Sequence, residues 1–379
     1  MRKKITLLTA LVFSTSLAGA VHAAEAIKIG APILLSGPGA FVGGAQKKTF
    51  EMLSEEVNKA GGINGRKLEF IYYDTEAKPD VAVRLVKRLI KKDGVEAILG
   101  ISASWTALPV LPIIEKAKVP TIALASASSI VNPVKKWVFK SPAGDRIVAS
   151  KMLAHMKSKG LKKLALVSSQ DGFGSGGHDA VVSLASDYGI EVVFDDQYKM
   201  DDTDITPMLS RIKKTDADSV LNWSSRRAPV VMAMNYRQMG IKLPLFHSHA
   251  SLSRGFLKAA GENANGIVVS AAKFYGSENL PQSDSQKKVI QQYRDSYQAK
   301  WGEPANQFGA AAFDAFNVLV AAIRKAGTDN EKLRAAIEDT KGHVGIGGNY
   351  TYSATDHAGL TRSSLVMYQA VDGNWKMIK

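Results

Sequence analysis

The chain has 379 residues, and none of them is cysteine. This absence excludes disulfide bonds, thiolate metal sites and thiol nucleophiles. It also excludes a lipid anchor of the kind that bacterial export proteins carry on an N-terminal cysteine. Long apolar stretches are absent too, because no segment after residue 24 has the roughly 20 consecutive apolar residues that a membrane-spanning helix requires.

Acidic residues are fewer than basic ones, 35 against 49, which gives a formal net charge of +14. Such a balance can indicate binding to nucleic acid or to membranes. The basic residues are nevertheless spread as pairs, with no block of five like charges; the clearest pairs are 87–88, 91–92, 162–163 and 213–214. We therefore expect a solvated basic surface and no nucleic-acid partner.

The first 24 residues have the three parts of a secretory signal peptide. Residues 1–4 form a basic head, 5–17 an apolar core and 21–23 a small-residue cleavage site. A twin-arginine pair is missing, so export in the unfolded state is expected. The sequence thus predicts a signal peptide over 1–24 and a periplasmic mature chain.

Predicted strands alternate with amphipathic helices along the mature chain. Strands are predicted at 27–30, 67–73, 97–99 and 119–123, and then at 164–168, 190–194, 219–222, 245–246 and 267–271. This alternation predicts βαβ units with a mostly parallel sheet, which is the α/β class. Because the pattern restarts after residue 142, we expect two similar lobes. The last third adds helices at 286–301 and 307–326 and closing strands at 364–370 and 376–378.

One junction joins a strand, a turn and the start of a helix. The apolar run 95–99 ends at Gly100, Ser102 and Ser104 follow, and a helical pattern begins at Leu108. Such a junction directs several backbone N–H groups toward one point, in front of the positive end of a helix dipole. It can hold a carboxylate without a nearby Lys or Arg. The two serines could also serve only as helix caps.

The segment GFGSGG at 172–177 matches the G-x-G-x-x-G pattern of dinucleotide-binding proteins and follows a predicted strand. Three residues separate that strand from the first glycine, so the turn is not tight. Asp171 would also put a negative charge beside a pyrophosphate. A nicotinamide-dependent oxidoreductase is therefore a remote alternative, and no cofactor is expected.

Hydrolase and metal motifs are incomplete in this sequence. Ser175 has Phe173 rather than glycine two residues before it, so G-x-S-x-G is not matched. His247 and His249 would share one face of a strand, but no neighbouring acid or cysteine completes a metal site. We expect no enzymatic activity and no bound metal.

Short motifs along the whole mature chain resemble those of the periplasmic solute-binding proteins of ABC transporters, in the branch that binds leucine, isoleucine and valine. The matching motifs are IKIG at 27–30, SG at 36–37, AGGINGR at 60–66, YD at 73–74, GIS at 100–102, PTI at 120–122, DGFG at 171–174, AAAFDA at 310–315 and GIGG at 345–348. Each motif is weak alone, and the set is specific.

The resemblance implies two doubly wound α/β lobes joined by three crossing segments, the type I periplasmic binding fold. It places one lobe at 25–143 plus 275–350 and the other at 144–274 plus 351–379. A ligand is expected between the lobes, which close by bending at a hinge. The implied partners are a small-molecule ligand and an inner-membrane ABC permease, with the protein itself a monomer.

The resemblance also assigns binding residues. The turn from Ser102 to Ser104 matches the family's first binding turn, and a one-residue gap leaves the binding serine open. Ser126 and Ser128 match the second turn, where backbone groups and a hydroxyl hold the ligand carboxylate.

This chain departs from the pattern where amino-acid binders carry an acid for the ligand ammonium. His249 stands at that place, with His247, Arg226 and Arg227 expected nearby. Such a site repels an ammonium and favours further carboxylates or hydroxyls.

The family's pocket tyrosines are also replaced. Phe41 and Phe173 stand where tyrosines are usual, Trp105 and Trp223 flank the turns, and Phe274 lies near a crossing segment. Trp223 and Phe274 could instead belong to the core. Aromatic walls favour planar ligands, so we predict an aromatic or related carboxylate. The alternatives are a branched-chain or other amino acid, or a role as a ligand sensor.

Overall fold

The computed structural model describes residues 25–378, and the predicted signal peptide lies outside the described residues. The first sheet is parallel and has the strand order β2-β1-β3-β4-β5. Its strands are β1 (Ile27–Ile33), β2 (Leu68–Asp74), β3 (Ala97–Gly100), β4 (Thr121–Ala123) and β5 (Val138–Lys140). The helices between them are α1 (Ala40–Lys59), α2 (Pro79–Arg88), α3 (Ser104–Ala107) and α4 (Leu111–Ala117).

A second parallel array follows. Its strands are β6 (Lys163–Ser169), β7 (Glu191–Tyr198), β8 (Ser219–Trp223), β9 (Leu245–His247) and β10 (Val268–Ala272). Its helices are α5 (Asp145–Ser158), α6 (Gly172–Ala185), α7 (Thr206–Ile212), α8 (Ala228–Gln238) and α9 (Arg254–Ala260).

The last third of the chain contributes to both lobes. Helices α10 (Ser285–Trp301), α11 (Gln307–Ala326) and α12 (Asn330–Glu338) pack into the same core as β1 and β3, and the hairpin β11 (His343–Val344) and β12 (Asn349–Tyr350) follows. Strands β13 (Leu365–Val371) and β14 (Asn374–Ile378) then join β10 antiparallel, completing the order β14-β13-β10-β9-β8-β6-β7. The chain therefore passes between the two sheets after β5, after β10 and after β12.

Each sheet is covered by helices on both faces, and the side chains of one strand alternate between two cores. In β6, Leu164 and Leu166 pack against the side of α5 and α6, whereas Ala165 and Val167 pack against the side of α7, α8 and α9. Strands buried on both faces are near-continuously apolar, as parallel sheets require. This is why the apolar runs locate these strands in the sequence.

The α/β class and the two lobes with parallel sheets are confirmed, whereas the exact lobe boundaries stay a prediction. The strand β5, the helix α9 and the hairpin were missed, because they span two to seven residues and show little periodicity. Among residues 25–378 we find no helix that combines the length and the apolar character needed to cross a bilayer.

Candidate functional site

A cavity of about 240 Å³ lies between the two lobes. Its walls include loops that follow the carboxyl ends of strands in both sheets, where open α/β sheets bind their ligands, together with residues of several helices. The lining comprises Leu34, Gly39, Phe41, Val42, Gln46, Ser102, Ala103, Ser104, Trp105, Leu124, Ser126, Pro142, Phe173, Ser225, Arg226, Pro229, Val230, His249, Ala250, Ser251, Ser253, Gly255, Phe256, Gln307, Phe308 and Ala311. The predicted binding residues among them are Phe41, Ser102, Ser104, Trp105, Ser126, Phe173, Arg226 and His249.

The first serine turn follows β3 and is fixed by its own hydroxyl group. Ser102 Oγ donates to Gln46 Oε1 at 2.6 Å and accepts from the backbone N–H of Leu34 at 3.1 Å. Ile101, just before it, has a φ of +60°, which non-glycine residues seldom adopt. The Ser102 hydroxyl therefore holds the loop 34–39 and α1 against the turn, while one acceptor lone pair remains.

Ser104 links the first turn to the second one. Its buried Oγ accepts a hydrogen bond from the backbone N–H of Ala127 at 3.1 Å. Ser126, next to Ala127, lines the cavity, and its carbonyl oxygen accepts from Lys140 Nζ at 2.6 Å. Within residues 25–378 no hydrogen bond engages the Ser126 hydroxyl, so that group is available to a ligand.

A buried pair of opposite charges supports the second turn from behind. Lys140 ends β5 and Asp145 begins α5, and both are fully buried. Asp145 Oδ2 accepts from the backbone N–H of Ser128 at 3.0 Å. Burial lowers the pKa of Lys140 and raises the pKa of Asp145, while their mutual attraction opposes both shifts. The pair fixes the turn to the first crossing segment.

Ser128 does not line the cavity, contrary to the prediction. Its N–H is committed to Asp145, and its Oγ accepts from the N–H of Arg146 at 3.4 Å. Both polar groups are thus used at the start of α5.

Arg226 and Trp105 face each other across the cleft. The guanidinium carbon lies 5.8 Å from the indole ring centre, a cation–π distance, and Arg226 Nη1 also contacts the sulfur of Met200 at 3.2 Å. Arg226 has a φ of +60°, which costs conformational energy. Trp105 belongs to α3 of the first lobe and Arg226 follows β8 of the second, so the contact joins the two lobes.

His249 lines the cavity as a neutral side chain. Burial lowers its pKa to about 3, so the ring is uncharged near neutral pH. Its Nδ1 has no hydrogen-bond partner among the described residues. Its carbonyl oxygen accepts from Gln307 Nε2 at 3.2 Å, which is a second contact between the lobes.

The expected cationic cluster around His249 is not formed. His247 is fully buried away from the cavity, next to the Ser251 hydroxyl at 3.3 Å, and burial lowers its pKa to about 3. Arg227 is exposed and does not line the cavity. Side chains two apart on a strand point to the same side only while the strand lasts, and β9 ends at His247. Arg226 is therefore the only permanently charged side chain in the lining described above.

The aromatic walls differ partly from the prediction. Phe41 is 51% exposed and packs edge-on against Phe308 of α11, with ring centres 5.6 Å apart. Phe173 at the start of α6 contacts the His249 ring at 5.4 Å. These two and Trp105 supply planar surfaces to the cavity.

Trp223 and Phe274 do not line the main cavity. Trp223 is completely buried behind Phe173 and His249, with ring centres 6.1 and 6.0 Å away, and it supports both rings. Phe274 is 2% exposed and packs against Tyr293 in the core of the first lobe. The end of a buried strand and a crossing segment each turn these side chains inward, Trp223 behind the cavity wall and Phe274 toward a smaller adjoining cavity. A direct contact of either residue with the ligand stays a prediction.

Helices start at this cavity. The first turns of α1, α6, α8 and α11, each longer than ten residues, contribute Phe41, Val42, Phe173, Pro229, Val230, Gln307 and Phe308. Helix N-termini carry partial positive charge, and no acidic side chain lies among the described residues that line the cavity. The electrostatic field thus favours an anion.

The glycine motif at 172–177 serves helix packing. Asp171 caps α6 by accepting from the N–H groups of Phe173 and Gly174. A Cβ on Gly174 would lie 1.8 Å from the carbonyl oxygen of Ser169, and one on Gly177 would lie 2.1 Å from the Trp223 ring. Glycine is required at these two positions because a side chain would clash with the neighbouring group. The Asp171 cap accepts from the helix N–H groups that a pyrophosphate would otherwise bind. Across residues 25–378 no group of three or more potential ligands is arranged to hold a metal ion.

Several lining residues have no local sequence signal. Gln46 lies within α1, and Gln307 and Phe308 open α11 far along the chain. Only the Asn306 cap, which accepts from the N–H groups of Phe308 and Gly309, marks where that helix begins.

A model of the periplasmic binding protein family matches residues 26–374. The leucine-, isoleucine-, valine-, threonine- and alanine-binding protein of Pseudomonas aeruginosa is 26% identical over 345 residues, which cover 89% of each chain.

Solved structures show the same fold. An extracellular ligand-binding receptor from Rhodopseudomonas palustris HaA2 superimposes with a TM-score of 0.87 and 26% identity, covering 93% of this chain and 99% of that one. The branched-chain amino acid transporter substrate-binding protein LivJ from Streptococcus pneumoniae, in complex with isoleucine, gives a TM-score of 0.81 at 22% identity over 93% and 99% of the two chains.

Proposed function

The chain belongs to the periplasmic binding protein family, whose members bind ligands without catalysing reactions, and we propose that it is the substrate-binding component of an ABC uptake transporter. In this proposal the exported protein captures a small carboxylate between its lobes and delivers it to an inner-membrane permease. The contacts Trp105–Arg226 and Gln307–His249 cross the cleft, and in this proposal they help to hold the two lobes together when the protein closes on its ligand.

The polarity of the cavity supports the assignment of a carboxylate ligand. Four long helices begin there, and the lining holds one guanidinium and no acid. The Ser126 hydroxyl faces this space without a partner among the described residues. A carboxylate would accept hydrogen bonds from these helix ends and this hydroxyl, and the guanidinium would add a full opposing charge.

The ligand that we propose is an aromatic or related organic acid without an amine. An unpaired ammonium costs several kcal/mol to bury, and the acids around the cavity are already engaged. Asp314, on the same helix as Gln307, accepts from the N–H groups of Ile346 and Gly347. Asp171 caps α6, and Asp145 holds Ser128. The rings of Phe41, Phe173 and Trp105 could pack against a planar ligand.

Branched-chain amino acids are the second candidate. The relatives support it better than they support an aromatic acid, because the Pseudomonas protein is named for leucine, isoleucine and valine and the Streptococcus structure contains isoleucine. An amino-acid ligand would need a partner for its ammonium, and the carbonyl oxygens and hydroxyls of the cavity would have to supply it.

Pairs of ligands that differ only in an ammonium group distinguish an organic acid from an amino acid as the ligand. We suggest titration calorimetry of the mature chain with leucine against 4-methylpentanoate, and with phenylalanine against 3-phenylpropanoate, since each pair differs only in the ammonium. The proposal predicts that each amine-free acid binds at least 100-fold more tightly, corresponding to an unpaired ammonium of about 3 kcal/mol or more. Tighter binding of leucine than of its analogue would establish the second candidate.

Transport is tested separately from binding. Cells that lack the protein should lose uptake of the ligand identified by calorimetry, and the intact chain should restore it. Normal uptake together with a lost tactic or transcriptional response would instead indicate a sensor.

A further inference from the structure

A smaller cavity of about 70 Å³ lies behind the main one, deeper between the lobes. The crossing segment 141–143, the end of β10 and one face of α11 surround it. The two cavities share four lining residues, which are Pro142, His249, Gln307 and Ala311. The main cavity and this deep compartment therefore adjoin each other across these four residues.

Gln307 has the longest flexible side chain at this boundary. It is the first residue of α11, and the Asn306 cap fixes that end of the helix. Its Nε2 donates to the carbonyl oxygen of His249 at 3.2 Å, so the side chain extends from the first lobe to the second. This hydrogen bond holds the amide group across the boundary.

Beyond Gln307 the helix offers little obstruction. Ala310, Ala311 and Asp314 follow at spacings of three, four and seven residues and all line the deep compartment, as expected for one helical face. Two of them are alanines. Removal of the Gln307 side chain would consequently join the two spaces along α11.

Most polar groups around the deep compartment are already paired. The carboxylate of Asp314 accepts hydrogen bonds from the N–H groups of Ile346 and Gly347, each at 2.7 Å, and from the Tyr350 hydroxyl at 2.9 Å. The Ser141 hydroxyl donates to the carbonyl oxygen of Ala311. The remaining walls are mainly small or apolar residues, namely Ala143, Ala271, Ala272, Phe274 and Ile346. The space would hold about two water-sized groups, such as two methylenes.

We propose that Gln307 determines ligand specificity by limiting ligand length. Its hydrogen bond to His249 closes the inner end of the main cavity, and the deep compartment behind it is a latent subsite for an apolar extension of the ligand. This inference rests on the proposed binding of a small carboxylate.

A chain-length series tests the inference. We suggest calorimetry of benzoate, phenylacetate, 3-phenylpropanoate and 4-phenylbutanoate with the wild type, Gln307→Ala and Gln307→Leu. In Gln307→Ala the optimum should move to acids one or two methylenes longer, with a relative gain of about 4-fold per buried methylene and about 15-fold for two. Gln307→Leu keeps the bulk and should keep the wild-type optimum.

Gln46→Ala is the matched control. Gln46 lines the main cavity but not the deep compartment, so this variant should weaken all four acids without moving the optimum. Gln307→Ser provides a second opening should Gln307→Ala not fold. An unchanged optimum in folded Gln307→Ala or Gln307→Ser would overturn the inference while leaving the proposed function intact. Failure of the wild type to bind any acid would reject both.

Discussion

Replacement of Ser126 by alanine tests the carboxylate site directly. The side chain lines the cavity, and its hydroxyl has no partner among residues 25–378, while its carbonyl oxygen is held by Lys140. The substitution therefore removes one available hydroxyl and leaves the backbone of the turn in place. A hydrogen bond to a charged group contributes about 1.5–3 kcal/mol, so ligand affinity should fall about 10- to 150-fold. The free energy of unfolding should change by less than about 0.5 kcal/mol.

Ser104→Ala provides the contrasting variant within the same site. The Ser104 hydroxyl accepts from the backbone N–H of Ala127, and both residues are buried. Alanine leaves that N–H buried without a partner, which costs about 1–3 kcal/mol of folding stability. The second turn also loses its connection to the first, so affinity should fall together with stability.

The two variants are compared by calorimetry with the tightest acid and by urea unfolding followed through tryptophan fluorescence. Wild-type affinity in Ser126→Ala would refute the assignment of the second turn to the carboxylate. Wild-type stability in Ser104→Ala would mean that the hydrogen bond between the turns contributes nothing.

Four further substitutions follow from the structure. Arg226→Met removes the cation–π contact across the cleft, which contributes about 0.5–1 kcal/mol. Calorimetry at low salt should therefore show at least a 2- to 5-fold loss of ligand affinity. Equal affinity in the variant and the wild type would exclude a role of Arg226 in closing the lobes. Burial lowers the pKa of His247 to about 3, whereas the pKa is near 6.5 in the unfolded chain. The contribution of the neutral ring to folding stability is therefore complete above pH 6.5 and is lost as the pH falls toward 3. Urea titrations at pH 7 and pH 5 should show about 2 kcal/mol less pH-dependent loss in His247→Leu than in the wild type; identical slopes would contradict this. Gly177→Ala should lower the free energy of unfolding by about 1–3 kcal/mol, because the added Cβ would meet a buried indole ring. Gly44 lies in open space within α1, so Gly44→Ala should raise the free energy of unfolding by about 0.5–1 kcal/mol. Similar thermal shifts in the two variants would show that the contact at residue 177 does not limit stability.

The alternation of strands and helices was predictable because parallel strands buried on both faces leave apolar runs in the sequence. The start of α6 at Gly172 carries no such signal, since four of the first six residues of this helix are glycines. Glycines lower intrinsic helix propensity, and here they are required by the approach of Ser169 and Trp223. Local propensity and tertiary packing thus gave opposite indications in this segment.

The serine turns were predictable for a similar reason. Polar residues directly after parallel strands meet at one edge of the sheet, and Ser102, Ser104 and Ser126 do line the cavity. The direction of a side chain beyond a strand end carries no such signal. Trp223 and His247 consequently turn into the core, and Gln307 reaches the cavity only because the chain returns to the first lobe.

The return of the chain after β10 has a consequence for how the molecule can be made. Strand β10 finds its antiparallel neighbour β13 only after α10, α11 and α12 have been added to the other lobe. Until then one edge of β10 presents unpaired N–H and carbonyl groups, which can recruit a strand from another molecule. A nascent chain that ends within α12 therefore carries an open sheet edge, and no continuous fragment contains the second lobe alone. Synthesis of the final strands both finishes that lobe and removes the hazard of aggregation.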